Sequence, residues 1–321
     1  MVDVVSAVRP FRFCAPMPVL RDDPAAWRDE VRRIEGWGFS SVSVSEHITG
    51  GWTMDPWTVM TAAAEATTSL RILSTVLVND FRHPVLLHRA AATLDRLSGG
   101  RLEVGLGAGW SADDYAALGL PFDPPGRRIE RLEVGGRLFT RLCAGEAVDQ
   151  DGPAYVAHVA APTPTVQRPH PPVLIGGGGR RVLELAAREA DIVGVHARLP
   201  VEGVTSETAR DLGAPEFAAK LGWVRDAAAA AGRAPDALEL QVNVYLCEIG
   251  AATPRPGGSR WAAVLASDAR LVRESPAVLI GSVEACADLL EERRARFGFS
   301  YIRLGGDPAA AAPLVARLSG R

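Results

Sequence analysis

The stretch 71–110 most constrains the fold, because it reads as a buried strand, a helix and a second buried strand. The apolar run Ile72–Val78 predicts the first strand, and Pro84 opens a helix that ends at the Ser-Gly-Gly of residues 98–100. The run Leu102–Leu106 predicts the next strand. Two buried strands joined by a helix favour parallel pairing, and parallel α/β folds build their functional sites at the strand ends.

The same alternation of strand and helix patterns continues through the whole chain. Eight strands are predicted to start near residues 11, 41, 72, 102, 173, 191, 238 and 301. Such a repeat most simply closes into a (β/α)8 TIM barrel of the α/β class, and a doubly wound open sheet is the alternative. We therefore predict a single domain over residues 1–321, with an irregular insertion near 146–170 that includes a candidate hairpin across Asp151 and Gly152.

The composition is that of an ordinary globular protein and argues against several function classes. A net charge of −3 gives no reason to expect nucleic acid or a membrane surface as a partner. No apolar run approaches the roughly 18 residues that a membrane helix needs. The four cysteines form no CxxC pair, which favours reduced thiols in a cytoplasm. No histidine pair has metal-ligand spacing, so no metal is expected.

Polar and aromatic side chains follow the predicted strands, at the edge where a barrel builds its site. Glu46 and His47 come directly after the second strand, and His196 follows the sixth. A histidine can give or take a proton near neutral pH, and a neighbouring carboxylate can bind a ligand group or tune the ring. A structural histidine is the alternative. Trp52 and Trp110 lie in strand-end loops and are expected to line an apolar substrate pocket.

Glycines mark two further strand ends. Gly176, Gly177, Gly178 and Gly179 precede Arg180 between a predicted strand and a helix. Backbone N–H groups can converge there on an anion, the helix N-terminus adds a partial positive charge, and the arginine can close over a phosphate. A flexible turn is the alternative. The Gly-Ala-Gly of residues 107–109 is either a tight turn or a place where a flat ring lies against the backbone.

Several short motifs follow one another along almost the whole chain: Ser45–His47, Thr75–Pro84, Ala92–Asp95, Ser98–Arg101, Gly105–Trp110, Val173–Gly179 and Ile280–Ser282. In this order they resemble the bacterial luciferase-like monooxygenase superfamily, specifically its actinobacterial branch of coenzyme F420-dependent oxidoreductases. The resemblance implies a (β/α)8 barrel with an insertion, a cytoplasmic location and a homodimer as the common assembly.

The resemblance also implies roles for single residues. The cofactor ring is expected on a bulge of the third strand with a non-proline cis peptide bond, which the alignment places at Thr75–Val76. His47 falls on the position of a proton donor in F420-dependent sugar-phosphate dehydrogenases. The remaining residues implied in cofactor binding are Val78 and Asn79 beside the ring, Gly107 and Gly109 giving it room, Asp113 nearby, and Gly177, Gly178 and Arg180 at its phosphate.

Two departures bear on the substrate. The sugar-phosphate relatives carry Asp where this chain has Glu46, and a catalytic Glu where it has Trp110. The chain also has a single lysine, Lys220. A small apolar organic molecule is therefore expected, with a C=C, C=N or alcohol carbon at the reacting position. The predicted reaction is hydride transfer between the deazaflavin C5 of F420 and that substrate. The alternatives are an FMNH2-dependent monooxygenase and a cofactor-binding protein without catalysis.

Overall fold

The computed structural model describes residues 9–234, 236–251, 253 and 259–321. The chain forms two compact units. Of the described residues, unit 1 comprises 9–16, 37–40 and those from Gly177 onward, whereas unit 2 comprises 17–36 and 41–176.

The strands are β1 Arg12–Pro16, β2 Ser41–Val44, β3 Arg71–Ser74, β4 Leu77–Val78, β5 Leu102–Gly107, β6 Val148–Asp151, β7 Val156–Val159, β8 Val173–Gly177, β9 Ile192–Val195, β10 Glu239–Val244, β11 Leu246–Ile249, β12 Val278–Gly281 and β13 Phe299–Leu304. The helices are α1 Pro24–Gly36, α2 Pro56–Ala66, α3 Pro84–Leu97, α4 Ala112–Ala117, α5 Pro125–Ala144, α6 Arg180–Glu189, α7 Ser206–Arg210, α8 Ala214–Ala230, α9 Arg260–Ala266, α10 Ala269–Glu274, α11 Val283–Phe297 and α12 Pro308–Leu318.

In unit 2, β2 pairs with β3, β3 and β4 pair with β5, and β5 pairs with β8, all in parallel. The helix α3 begins and ends as predicted, because its first and last turns carry strong signals. His83 accepts a hydrogen bond from the Val85 N–H at 3.3 Å, and Pro84 follows with no N–H to satisfy. After α3 the chain enters β5, which runs parallel to β3 and β4.

The predicted strand Ile72–Val78 is in fact two strands, because the chain bulges between them. β3 ends at Ser74 and β4 begins at Leu77. The peptide bond Thr75–Val76 is cis, which confirms the position given by the resemblance.

The insertion near 146–170 is more regular than predicted. β6 and β7 form an antiparallel hairpin in which Asp151 lies opposite Val156. Its apolar residues Val148 and Ala157 pack on the buried Leu138 and Leu142 of α5. Alternating burial along each short strand explains why the hairpin is stable there.

In unit 1, β13 lies between β1 and β10, and β9 pairs with the other edge of β10, again in parallel. The alternating apolar residues Leu240, Val242, Val244 and Leu246 predict one strand over 238–249, but the strand breaks at Tyr245. The N–H groups of Tyr245 and Leu246 both lie within hydrogen-bond distance of the Ala277 carbonyl, at 2.9 and 3.3 Å. The chain therefore leaves β10 and continues as β11 beside β12, a four-residue strand that the sequence did not predict.

The sequence pattern over 261–273 predicts one helix of unit 1, and this helix is divided. The stretch 261–273 forms α9 and α10 instead of a single helix. The Asp268 carboxylate accepts hydrogen bonds from the N–H groups of Arg270 and Leu271, at 2.9 and 3.3 Å, and so begins a new helix.

Candidate active site

His47 lies just after β2 and is held by a carboxylate from α4. Its Nδ1 lies 2.8 Å from Oδ2 of Asp114, whose side chain is only 2% exposed. The other oxygen, Oδ1, accepts hydrogen bonds from the Ile48 N–H at 3.1 Å, the Thr49 N–H at 2.8 Å and the Thr49 hydroxyl at 2.7 Å. Asp114 is therefore fixed in orientation by three donors, and it presents its second oxygen to the imidazole.

The charge of Asp114 follows from these contacts. Burial alone raises the pKa of a carboxyl group, but the hydrogen bonds from Thr49, His47 and Ile48 outweigh it and lower the pKa of Asp114 to about 2. The group is therefore a carboxylate at neutral pH.

Two tryptophans flank the imidazole. The ring centroids of His47 and Trp52 are 5.1 Å apart, and those of His47 and Trp110 are 5.7 Å apart with the rings edge to face. The His47 side chain is 21% exposed and Trp52 is 46% exposed. The structure thus brings together three of the residues predicted for catalysis and substrate binding.

Glu46, predicted as a catalytic partner, is instead engaged with the bulge. Arg82 donates two hydrogen bonds to its carboxylate, at 3.0 and 2.5 Å, and the Val78 N–H donates a third at 2.7 Å. The Glu46 N–H also donates to the Val76 carbonyl at 3.3 Å. A buried carboxylate in a two-point contact with a guanidinium is rigid. Glu46 therefore positions the bulge, and the partner of His47 is Asp114.

Asp114 was not among the residues predicted from the sequence. Its neighbour Asp113 was implied near the cofactor by the resemblance, and that role stays a prediction. Asp113 is exposed on the first turn of α4, whereas Asp114 is buried. The available signal was Ser111, whose side chain accepts a hydrogen bond from the Asp114 N–H and so begins the helix.

The glycines of β5 make room for the bulge. A Cβ at Gly105 would lie 2.0 Å from the Ser74 carbonyl oxygen, and a Cβ at Gly107 would lie 2.5 Å from the Val76 side chain. Gly109 has a φ of +72°, and a Cβ there would lie 2.6 Å from the Tyr115 hydroxyl. A side chain at residue 107 or 109 would therefore collide with Val76 or Tyr115, and the role of the two glycines in giving a cofactor ring room stays a prediction.

The polar elbow after β4 is held by distant parts of unit 2. Asn79 donates a hydrogen bond to the Tyr155 hydroxyl at 2.8 Å. Asp80 accepts two from Arg131, at 3.1 and 2.5 Å, and one from Tyr115 at 2.9 Å. Burial and the Asp80 charge raise the pKa of Tyr115, and the hydrogen bonds to Asp80 raise the pKa of Arg131. The elbow is thus a rigid base for the bulge.

One polar atom of the bulge has no protein partner. The Oγ1 atom of Thr75 is buried and makes no hydrogen bond within the described residues. Its carbonyl, by contrast, accepts a hydrogen bond from the Ser45 hydroxyl at 2.7 Å. Buried hydroxyls are normally paired, so this one is available to a bound molecule.

Comparison with known proteins decides the family. The sequence model of luciferase-like monooxygenases matches residues 10–301. The chain belongs to this family. Its match to an uncharacterised protein of Mycobacterium tuberculosis is 36% identical over 146 residues, which is 43% of this chain. The match spans 49% of that protein, so the chain spans about half the length of the curated relatives it matches.

Solved structures of luciferase-like proteins agree over nearly the full length. Monooxygenase RslO1 from Streptomyces bottropensis is 26% identical with a TM-score of 0.72, covering 96% of this chain and 97% of its own. The coenzyme F420-dependent tetrahydromethanopterin reductase from Methanopyrus kandleri is 18% identical with a TM-score of 0.73, covering 97% and 98%. The predicted α/β class with a (β/α)8 barrel is thereby confirmed. The two neighbours differ in chemistry, and the second is too distant in sequence to show more than the fold, so they choose no cofactor for this chain.

The glycine run of this luciferase-like chain is partly explained by packing. Gly176 and Gly177 are the last residues of β8, and Gly179 directly precedes α6. A Cβ at Gly177 would lie 2.3 Å from the Val182 side chain, and a Cβ at Gly178 would lie 2.2 Å from the backbone at Ala197. The side chain of Arg180 bonds to Glu184 at 2.7 Å on the helix surface. Its role at a phosphate stays a prediction.

His196 lies in unit 1, in a polar cluster of its own. Its Nδ1 is 3.4 Å from the Tyr245 hydroxyl, and its carbonyl accepts a hydrogen bond from Lys220 at 2.8 Å. Burial, together with the positive charges of Arg303 and Lys220, lowers the pKa of His196 to about 4. The ring is therefore neutral at pH 7, and its place in a substrate pocket stays a prediction.

The described ranges contain neither a metal-binding cluster nor a membrane-spanning helix. Among those residues, no group of three or more His, Cys, Asp or Glu side chains is arranged to hold a metal ion. None of the helices found there combines the length and the apolar character that crossing a membrane requires. The four cysteines are free thiols.

Proposed function

We propose that this protein is a coenzyme F420-dependent oxidoreductase that acts on a small apolar organic substrate. The observation that carries the proposal is the fixed imidazole of His47, one residue after the Glu46 that holds the bulge of the third barrel strand. The reaction would reduce a C=C or C=N bond, or oxidise an alcohol.

The bulge between β3 and β4 is rigid, and it offers a polar side-chain atom to a flat cofactor. Thr75 offers a buried hydroxyl that has no partner in the described protein, and Asn79 and Asp80 are locked by Tyr155 and Arg131. The residues that would hold the ring are Thr75, Val76, Val78 and Asn79. When bound, F420 supplies a carbon that donates or accepts a hydride. The N-terminus of α6, with Gly179 and Arg180, is proposed separately as a phosphate-binding element.

His47 would handle the proton that accompanies the hydride. A hydride added to a C=N or activated C=C bond leaves an anionic atom that needs a proton, and alcohol oxidation releases one. With Nδ1 bonded to Asp114, the Nε2 atom would accept the proton released in alcohol oxidation and, from a doubly protonated ring, would donate one in a reduction. Trp52 and Trp110 on either side of the ring provide apolar surface, which favours an uncharged substrate and helps to exclude water.

A flavin-dependent monooxygenase is the second candidate. Its support is the 26% identity to monooxygenase RslO1 over 96% of this chain. Such an enzyme would consume oxygen and would need a separate source of reduced flavin.

A side-by-side binding titration separates the two candidates. Purified protein is titrated into F420 and into FMN, and the change in cofactor fluorescence gives each dissociation constant. We expect F420 to bind at least about tenfold more tightly, a difference of about 1.4 kcal/mol. Tighter binding of FMN, together with oxygen consumption on addition of reduced flavin, would overturn the F420 proposal.

A further inference from the structure

We propose that Asp114 is a positioning residue that fixes the tautomer of His47, placing the proton of the neutral ring on Nδ1 and leaving Nε2 bare. Its consequence for catalysis rests on the proposed function, but the tautomer itself is a property of the free protein.

The first argument is the direction of the hydrogen bond. Nδ1 of His47 and Oδ2 of Asp114 are 2.8 Å apart. An ionised carboxylate can only accept hydrogen bonds, and the three donors that converge on Oδ1 of Asp114 favour the ionised form, in keeping with its lowered pKa. Nδ1 must therefore be the donor. A neutral imidazole carries one N–H, so Nε2 is then an acceptor.

The second argument is that the carboxylate cannot turn. Oδ1 accepts from two backbone N–H groups, at Ile48 and Thr49, and from the Thr49 hydroxyl. If the carboxylate turned by half a rotation, its two oxygens would exchange places, but the three donors of the loop and the His47 ring would stay where they are. One oxygen therefore always accepts from the loop, and the other always faces the ring. The side chain is 2% exposed, which leaves little room for water to replace either contact.

These contacts make Asp114→Asn an informative substitution. The amide oxygen must occupy the Oδ1 position, because three donors converge there and an NH2 group would face them without an acceptor. The amide NH2 is then directed at His47, and Nδ1 must become the acceptor. The ring proton moves to Nε2, while shape and volume hardly change. The same exchange of tautomer is the accepted reason why an Asp→Asn change disables the serine-protease triad.

The tautomer is measured directly by 15N NMR of the histidine ring nitrogens, at a pH where the imidazole is neutral. We expect a protonated Nδ1 and a bare Nε2 at His47 in the unaltered protein, and the reverse in Asp114→Asn. The His47→Ala variant assigns the signals. Asp149→Asn is the matched control, because Asp149 lies 2.6 Å from Nδ1 of a different histidine, His158. A protonated Nε2 in the unaltered protein would overturn the inference, as would an unchanged tautomer in a folded Asp114→Asn variant.

Turnover and F420 binding separate this inference from the proposed function. In Asp114→Asn we expect kcat to fall by about 10² to 10⁴, the usual contribution of a general acid or base, with F420 affinity unchanged. Restoring the carboxylate in Asp114→Glu should recover part of kcat. A switched tautomer with unchanged turnover would support the positioning by Asp114 and overturn the use of His47 in the reaction. Absence of F420 binding by the unaltered protein would overturn the proposed function, and the NMR result would still decide the inference.

Discussion

Unit 2 contains two histidine–aspartate pairs with nearly the same contact distance and opposite surroundings. Nδ1 of His47 lies 2.8 Å from Asp114, and Nδ1 of His158 lies 2.6 Å from Asp149. The side chains of the first pair are 21% and 2% exposed, and those of the second are 55% and 89% exposed. Distance alone therefore does not distinguish a buried pair from a surface pair.

The difference lies in what else holds the carboxylate. Asp114 is fixed by the backbone at Ile48 and Thr49, whereas Asp149 faces His158 across the β6–β7 hairpin as a directly opposed residue. Solvent screens the second pair, and the entropy of two mobile side chains opposes it. We therefore expect the geometry of the His47–Asp114 pair to be the more rigid of the two.

The largest expected difference between the pairs is in turnover. Removing the imidazole in His47→Ala should lower kcat by about 10² to 10⁴, since general acid–base catalysis contributes that much. His158→Ala should leave kcat unchanged. Steady-state assays of both variants with F420 measure the contrast, and F420 titration checks that the cofactor still binds. Equal kcat values for the two variants would remove the catalytic distinction between the pairs.

The next difference is in stability. Asp114→Ala removes the hydrogen bonds that the N–H groups of Ile48 and Thr49 and the ring of His47 make to its carboxylate, and each such bond contributes about 0.5–1.5 kcal/mol net. We expect the free energy of unfolding to fall by about 2–4 kcal/mol, and Asp149→Ala to change it by less than about 0.5 kcal/mol. Urea denaturation of both variants gives the values. A loss in Asp149→Ala as large as that in Asp114→Ala would contradict the assignment of rigidity to the first pair.

Much of this frame could be predicted from the sequence. The strand–helix alternation predicts the barrel because it depends on neighbouring residues, and the family resemblance, aligned on the elbow up to Pro84, places the cis bond at Thr75–Val76. His47, Trp52 and Trp110 were predicted at the site from their strand-end positions, and the rings of both tryptophans lie within 6 Å of the His47 ring.

The partners of these residues could not be predicted, since they come from distant parts of the chain. Arg131 lies 51 residues from Asp80, and Tyr155 lies 76 residues from Asn79. Asp114 was missed for a different reason. α4 has only six residues, too few for a helical periodicity to show which of two adjacent aspartates is buried.

Acid should weaken the buried pair in a defined range of pH. The pKa of Asp114 is lowered from 3.8 to about 2, so the carboxylate stabilises the fold at pH values above its unfolded pKa. That contribution, at most about 2 kcal/mol, is lost as the pH falls from about 4 to about 2. The free energy of unfolding of the unaltered protein minus that of Asp114→Asn should therefore shrink over this range. A flat difference would contradict the lowered pKa of Asp114.

The smallest expected effect belongs to the exposed pair. Hydrogen bonding to Asp149, helped by the charge of Asp151, raises the pKa of His158. A raised pKa gives stability that is fully present below the unfolded pKa and is lost as the pH rises through the folded one. Asp149→Asn should lower the pKa of His158 part of the way, because Asp151 still lies 3.4 Å from Nε2, and leave kcat unchanged. An NMR titration of the His158 ring measures the shift, which should also diminish at high salt because the pair is exposed. A shift that salt does not alter would mean that His158 is as protected from solvent as His47.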